Sequence, residues 1–383
     1  MKNKISQNLI ISLLTNRQEL TIDEAAEYYS IPASTVSGIF YRLEKKGIIV
    51  KNSTKNIGKG RPAHCYRLRL PGKVAVCKFD GTEIVGAILD RNFEILSLDK
   101  VLIKNIYTLN EAEEIIRKLV KKLQNSAKLK KKEIDGLGVS VNAVQIGNRV
   151  FMSSVLPWAN ETICERLSSA SGLTVKLITL PVVLAEYQKV KDIRPNTLVR
   201  YIVGDGVSGH SIVNGQLLKG INGLGGELGH IIADVNGELC GCGRKGCLEA
   251  LCSGLAIRNG IIRDLKTGIT SSLNYEILEL NTPREAMKYI YQMWQVGDTF
   301  VRAYMDRIFS WLGWGLGLIV NILDPDIVRF GGYVLKERRE WIQEIVSKSE
   351  QWILHAQTRE IALEESLVTL EDELRTIATG FYY

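Results

Sequence analysis

Four side chains in the middle of the sequence have the types and spacing of a metal site. Cys240, Cys242 and Cys247 fall within eight residues, and His230 lies ten residues before the first of them. Thiolate sulfur and imidazole nitrogen suit a tetrahedral Zn²⁺, and the glycines between the cysteines allow tight turns. We predict a structural Zn²⁺ on these four residues, because four protein ligands leave no position for a reacting water. The alternatives are a disulfide with one thiol left over, or three unconnected thiols.

The length, cysteine content and apolar runs of the chain limit the class of protein to which this site can belong. A chain of 383 residues is long enough for two or three domains. Seven cysteines and no recognisable secretory signal after Met1 lead us to expect a cytoplasmic protein. The most apolar run, residues 308–323, includes three glycines and ends at Asp324-Pro325. It is short for a membrane span, so a buried helix is predicted and no membrane partner is expected.

The positive charge lies almost entirely at the N-terminal end. Residues 1–70 hold 12 Lys and Arg against 5 Asp and Glu, out of 49 and 42 in the whole chain, so the remaining residues hold 37 of each. A basic module attached to a neutral body is typical of proteins that meet a polyanion. A charge run alone can be a solvated surface, so the pattern of the same residues must support this interpretation.

Residues 1–70 have the pattern of three helices and a hairpin. An apolar face over 8–14 predicts the first helix, and the capping box Thr21–Glu24 starts a second that runs to about Tyr29. Pro32 opens a third helix over 33–46, which Gly47 ends. Two strands are predicted at 48–50 and 66–70. A winged helix-turn-helix domain is therefore predicted, and a small helical domain that binds protein is the alternative.

The third helix and the wing supply the predicted contacts with double-stranded operator DNA. Small polar residues on the exposed first turns suit a helix in the major groove, and Arg61 in Gly60-Arg-Pro62 suits the minor groove. The predicted DNA-binding residues are Ser34, Thr35, Ser37, Gly38, Tyr41, Arg42, Lys59 and Arg61.

Beyond Pro71-Gly72 the pattern alternates between strands and helices, which indicates an α/β class. We predict strands within 74–89, at 93–96 and at 136–141, and further strands at 175–178, 198–203 and 326–330. A helix is predicted over 109–126.

The stretch Gly226-Glu-Leu-Gly-His230, followed by the cysteine motif and Leu248-Glu249, resembles the signature of the ROK family (repressor, open reading frame, kinase). Weaker matches follow in family order: Gly60-Arg-Pro62, Leu156-Pro-Trp158, Gly204-Asp-Gly206, Asn214-Gly-Gln-Leu217, Asn321-Ile-Leu-Asp-Pro325 and Gly331-Gly332. With its basic module, the chain resembles the family's repressors of xylose, glucose or N-acetylglucosamine type.

The resemblance implies a two-lobed actin-like/hexokinase body with a ribonuclease H-like fold, preceded by the winged domain. The implied boundaries are 1–70 for the winged helix-turn-helix and 71–190 for the first lobe, joined by a segment at about 366–383. Residues 191–365 form the second lobe, with the zinc site and oligomerisation helices. A homodimer or homotetramer is implied as well.

The family's kinase chemistry needs residues that this chain lacks. The resemblance aligns Lys78-Phe-Asp-Gly-Thr82 with the family's Asp-x-Gly-Gly-Thr, so Lys78 stands at an aspartate position. Ile178 aligns with the catalytic aspartate and Leu177 with a sugar-binding asparagine. Neither side chain can accept a proton or a hydrogen bond, so we predict no catalytic residues and no enzyme activity.

An effector site is implied where family members contact a sugar. The implied residues are Leu156, Pro157, Trp158, Glu227, His230 and Glu249. Because Leu177 and Ile178 remove polar contacts, the effector is a less polar or modified sugar, or there is none and the body only dimerises. Three functions compete: a transcriptional regulator of carbohydrate genes, most simply a repressor; a sugar kinase with a fused module; and a regulator that binds protein.

Overall fold

The structure, a computed structural model, describes residues 7–16, 19–55, 62–81, 83–103, 107–141, 143–146, 149–153, 156–179, 197–214, 216–221, 224–280 and 282–382. Within these ranges, no helix is both long and apolar enough to cross a bilayer.

The N-terminal residues form three helices and an antiparallel strand pair. These are α1 (Gln7–Asn16), α2 (Ile22–Tyr28), α3 (Ala33–Lys45), β1 (Ile49–Lys55) and β2 (Ala63–Leu68). The predicted capping box is present: Glu24 N donates to Thr21 Oγ1 at 3.1 Å, and Thr21 N donates to Glu24 Oε2 at 2.8 Å. Gly47, with φ of 69°, follows the end of α3 as predicted.

The strand pair differs from the prediction in length and position. β1 runs to Lys55 instead of Val50, and β2 begins at Ala63 instead of Tyr66. The residues 51–55 are exposed and polar, so their strand conformation comes from pairing with β2 and not from an apolar pattern. The predicted DNA-binding residues Lys59 and Arg61 lie outside the described residues.

The first lobe is built on a five-stranded mixed sheet. Its chain segments are β3 (Val74–Phe79), β4 (Glu83–Leu89), β5 (Ile95–Leu102), α4 (Leu109–Ser126), β6 (Leu137–Val141), β7 (Val144–Ile146), β8 (Arg149–Met152), β9 (Ala159–Glu161), α5 (Ile163–Ser171) and β10 (Val175–Leu177). The sheet order is β10-β6-β3-β4-β5, while β7, β8 and β9 form a small separate sheet. The strand predicted at 93–96 is in fact β5, which starts two residues later and runs to Leu102.

The second lobe repeats this topology. Its segments are β11 (Thr197–Val203), β12 (Val207–Val213), β13 (Gln216–Leu217), α6 (Leu248–Cys252), α7 (Gly254–Lys266), α8 (Tyr275–Leu280), α9 (Pro283–Gln295), α10 (Thr299–Leu323), β14 (Ile327–Gly331), α11 (Arg339–Ser349) and β15 (Ala362–Glu365). The order β13-β12-β11-β14-β15 again places an antiparallel three-strand meander beside two parallel strands. Two lobes with one strand order support the two-lobed, ribonuclease H-like body. The apolar run at 308–323 is the buried C-terminal part of α10.

The last helix, α12 (Leu370–Tyr382), returns to the first lobe. It packs against β3 and β6 and also against α1. A single apolar core therefore contains Ile10 and Leu13 of α1, Leu374 and Ile377 of α12, and Val76 of β3. The N-terminal segment thus shares its core with the body and is not joined to it by a linker alone.

Candidate metal centre and ligand cleft

The structure brings the four predicted metal ligands together. The ligand atoms of His230, Cys240, Cys242 and Cys247 all lie within 4.8 Å of one another. Cys240 Sγ is 3.7 Å from His230 Nδ1, and Cys242 Sγ is 3.6 Å from Cys247 Sγ. A tetrahedral zinc with Zn–S bonds of ~2.3 Å has edges of about 3.8 Å. The two shortest separations match these edges, and the upper limit of 4.8 Å exceeds them by about 1 Å, so the tetrad could hold a tetrahedral ion after small side-chain shifts.

The protonation of the thiols is set by their surroundings. Burial raises the pKa of the Cys240 and Cys247 thiols above the usual value. Burial also acts to raise the pKa of Cys242, but hydrogen bonds from the backbone and guanidinium of Arg244 outweigh it and lower that pKa to about 7. Because zinc binds thiolates, metal binding to this tetrad must displace protons.

Glycines hold the histidine segment tightly against β12. A Cβ at Gly229 would lie 2.0 Å from the carbonyl oxygen of Val207, and one at Gly226 would lie 2.8 Å from His210 Nδ1. Gly226 also has φ of 93°, which favours glycine. The spacing Gly-Glu-Leu-Gly-His is therefore a packing requirement that fixes where His230 meets the cysteine loop.

Two of the predicted effector residues flank the metal tetrad. Glu249, in the first turn of α6, is buried and accepts a hydrogen bond from Val207 N at 3.1 Å, while its other oxygen lies 3.7 Å from Cys240 Sγ. Glu227 Oε2 lies 3.8 Å from His230 Nε2. Burial raises the pKa of Glu227, and the charge of Glu249 adds to this while His230 opposes it. Glu227, His230 and Glu249 thus form one acidic wall beside the three cysteines.

The Leu156-Pro157-Trp158 stretch lies elsewhere. Leu156 and Trp158 are buried in the core of the first lobe, and the Trp158 indole N–H donates to the carbonyl of Tyr107 at 3.2 Å. Pro157 is exposed. The structure thus gives Leu156 and Trp158 a core role, and an effector contact by this stretch stays a prediction.

In the cleft between the two lobes, the loop after β3 meets the loop between β11 and β12. A Cβ at Gly81 would lie 2.8 Å from Asp205 Oδ2, so the two lobes touch there. Tyr333 donates a hydrogen bond to Asp205 Oδ1 at 2.8 Å, and a Cβ at Gly254 would be 2.4 Å from the Tyr333 hydroxyl. Burial and the Asp205 carboxylate raise the pKa of the Tyr333 phenol well above its usual value. Side chains thus fill the space between these glycine loops.

The residues at the positions of the family's reactive groups make contacts with α12. Lys78 Nζ lies 2.6 Å from Glu373 Oε2 and 3.3 Å from Asp80 Oδ2. Burial alone would lower the pKa of Lys78, but these two carboxylates outweigh it and raise the pKa. Ile178 is buried, and a Cβ at Gly380 would lie 2.9 Å from its Cγ2. Neither residue offers a base to the cleft.

The third helix presents the predicted face. Val36, Ile39, Phe40 and Leu43 are buried. The other side of α3 is open to solvent: Ser34, Thr35, Ser37, Tyr41 and Arg42 are exposed, and Gly38 is partly so. Tyr41 is 59 % exposed, and Lys45 Nζ lies 5.4 Å from the centre of its ring. The side chains that face outwards on α3 are therefore the ones that the helical spacing predicts.

Sequence reasoning missed three contributors to the cleft: Glu373, Tyr333 and the Val207 amide. Tyr333 directly follows Gly331-Gly332, a weak match to the family. A large aromatic side chain after two glycines was the signal in the sequence that could have identified it. For Glu373 and Val207 the sequence holds no local signal, because their partners lie far away in the chain.

Comparison with known proteins agrees with this architecture. The ROK family model matches residues 77–370. A glucokinase of Thermotoga maritima is 29 % identical over 228 residues, which are 58 % of this chain and 71 % of that protein. A Caldicellulosiruptor sp. protein with the name "Putative xylose repressor" is 26 % identical over 345 residues, 86 % of this chain and 83 % of that protein.

A solved structure shares the fold of almost the whole chain. It is a ROK family transcriptional regulator described as a homologue of the E. coli MLC protein, with a TM-score of 0.69 and 18 % identity, covering 97 % of this chain and 96 % of that one. Two lobes of repeated strand order with a Cys₃His cluster define an α/β body of the actin-like class. The chain belongs to the ROK family.

Proposed function

We propose that this chain is a sequence-specific transcriptional regulator of carbohydrate genes, a repressor, without sugar kinase activity. Residues 1–70 act as a winged helix-turn-helix on operator DNA, and the ROK body carries a structural zinc. The proposal is supported by the N-terminal segment described above and by the family's inclusion of a relative named as a repressor.

The exposed face of α3 is the observation that carries this proposal. One side of the helix is buried in the module, and the other leaves small polar side chains, Tyr41 and Arg42 without a covering element among the described residues. A helix with such a face, on a segment with seven excess positive charges, suits the major groove of a duplex.

The proposed lack of kinase activity follows from the residues that stand where the reaction needs a base and a phosphate site. Phosphoryl transfer to a hydroxyl needs a base at the acceptor and a site for the phosphates. Ile178 offers no base, and the space between the glycine loops holds Asp205 and Tyr333. The carboxylates of Asp80 and Asp205 would repel phosphate there.

The proposed effector site is the acidic wall of Glu227, His230 and Glu249. With Nδ1 turned towards Cys240, His230 keeps Nε2 on the side of Glu227. Carboxylates and an imidazole suit the hydroxyl groups of a sugar, while Leu177 and Ile178 favour a less polar derivative. Zinc would fix the loop that carries Glu249 relative to β12.

In the proposed assembly, a homodimer places two α3 helices on half-sites about 34 Å apart. Effector binding that changes the closure of the lobes would alter the spacing of the two modules and with it operator occupancy.

The direct test is selection of duplexes from a random library by the full chain, followed by anisotropy titrations at several salt concentrations. We expect an enriched sequence and a steep loss of affinity with salt. Arg42→Ala should weaken binding and lower the salt slope by about 1 if Arg42 contacts phosphate. Lys118→Ala, at an exposed position of α4 in the first lobe, is the control and should change neither.

The alternative function is sugar phosphorylation, which the similarity to a glucokinase favours. A coupled assay with Mg·ATP and common hexoses and pentoses decides it: turnover above background would establish a kinase. Absence of an enriched duplex, or binding that is insensitive to salt, would instead favour a module that binds protein.

A further inference from the structure

We infer that Lys78 is a positioning residue that couples the interlobe cleft to the N-terminal module through the ion pair with Glu373 at the start of α12. The regulatory part of this inference rests on the proposed DNA-binding function. The coupling itself depends only on how the chain packs, so it can be tested without DNA.

On the cleft side, Lys78 is tied to the loop that meets the second lobe. Its ammonium lies 3.3 Å from Asp80 Oδ2, and Tyr107 donates a hydrogen bond to the carbonyl of Asp80 at 2.8 Å. The next residue, Gly81, is in contact with Asp205 of the second lobe. A change in lobe closure must therefore act on the Asp80-Gly81 loop.

On the other side, Lys78 is tied to the first turn of α12. Glu373 Oε2 is 2.6 Å from the ammonium, and its side chain is only 10 % exposed. The turn is fixed by a cap next to it, where Thr369 N and Oγ1 both donate to Asp372 Oδ2, at 2.8 and 2.6 Å. A short, shielded charge pair next to a capped turn resists sliding of α12 along β3.

α12 also packs against α1. Ile10 and Leu13 of α1 and Leu374 and Ala378 of α12 belong to one buried core. Ile377 packs closely on Gly138, where a Cβ would lie 3.0 Å from its Cγ2. Because close-packed elements move as units, a shift at Glu373 is passed to α1 and so to α3.

The test compares Lys78→Met with Lys176→Met in the full chain. Lys176 is the matched control because its ammonium also holds α12, donating to the carbonyl of Phe381 at 2.5 Å, but at the helix's far end and away from the cleft loop. On the selected operator duplex, we expect Lys78→Met to weaken binding by about 5- to 150-fold and Lys176→Met by less than about twofold. Lys78→Arg should retain most of the affinity, and Glu373→Gln should act like Lys78→Met.

Hydrogen exchange supplies a readout without DNA. Lys78→Met should speed amide exchange in α1 and in the first turn of α12, and leave α4 as in the wild type. If Lys78→Met and Lys176→Met change operator affinity and α1 exchange equally, or if neither changes them, the inference is wrong. If no duplex is enriched but α1 exchange responds only to the Lys78 and Glu373 variants, the coupling holds and the proposed function fails.

Discussion

Glu249 accepts a hydrogen bond from the backbone amide of Val207 at 3.1 Å, and so joins the start of α6 to the start of β12. The other oxygen of the same carboxylate lies 3.7 Å from Cys240 Sγ. A residue predicted to contact an effector therefore also links the cysteine loop to the central sheet of the second lobe.

Replacement of Glu249 separates these two roles. Glu249→Ala leaves the buried Val207 amide without its acceptor, so we expect a loss of about 1–3 kcal/mol of unfolding free energy in urea titrations. Glu249→Gln keeps an acceptor and should lose much less. If a sugar that raises the melting temperature is found, both variants should lose that shift. Equal stability of Ala and Gln variants would contradict the structural role.

Removal of one metal ligand should release the metal. We expect Cys240→Ser to purify with less than stoichiometric zinc by elemental analysis, and to lose roughly 4 kcal/mol of stability at a metal concentration about 1,000 times the Kd. Cys164→Ser, a buried cysteine of the first lobe, is the control and should keep its zinc. A Cys240→Ser protein with full zinc content would show that the tetrad is not the metal site.

His210 should make stability depend on pH. Burial, with the nearby charge of Arg200, lowers the pKa of His210 from 6.5 to about 4. As pH falls from 6.5 to 4, the unfolded chain takes up a proton that the folded chain does not, so stability decreases over that window, by about 3 kcal/mol at most. His210→Gln should flatten urea-unfolding free energies between about pH 7 and pH 5. His64→Gln, at an exposed position on β2, is the control variant for the loss of one histidine.

Replacement of Gly38 by alanine should raise the stability of the protein and weaken its binding to DNA. Nothing lies closer than 3.9 Å to a Cβ built at this position, so Gly38→Ala should stabilise α3 by about 0.5–1 kcal/mol. The added methyl group would stand on the proposed DNA face and weaken operator binding while leaving the salt slope unchanged. Gly47→Ala is the counterpart: with φ of 69°, it should destabilise by about 1–2 kcal/mol. Both changes are measured by thermal unfolding and anisotropy.

Local patterns determined several elements correctly from the sequence. The capping box at Thr21 and the outward face of α3 depend on neighbours within four residues, and the helix over Leu109–Ser126 was predicted to the residue. The clustering of His230 with the three cysteines was also predicted, because the cysteines lie on one short loop. Zinc binding by this cluster stays a prediction.

The tertiary structure decided what lies far apart in the chain. No local pattern shows that Trp158 is buried against Tyr107, or that Tyr333 and Asp205 occupy the space between the glycine loops. The ion pair of Lys78 with Glu373 forms only because α12 crosses back to the first lobe. Periodicity reports which side of an element is buried, but the partner that covers it is chosen by the packing of the whole chain.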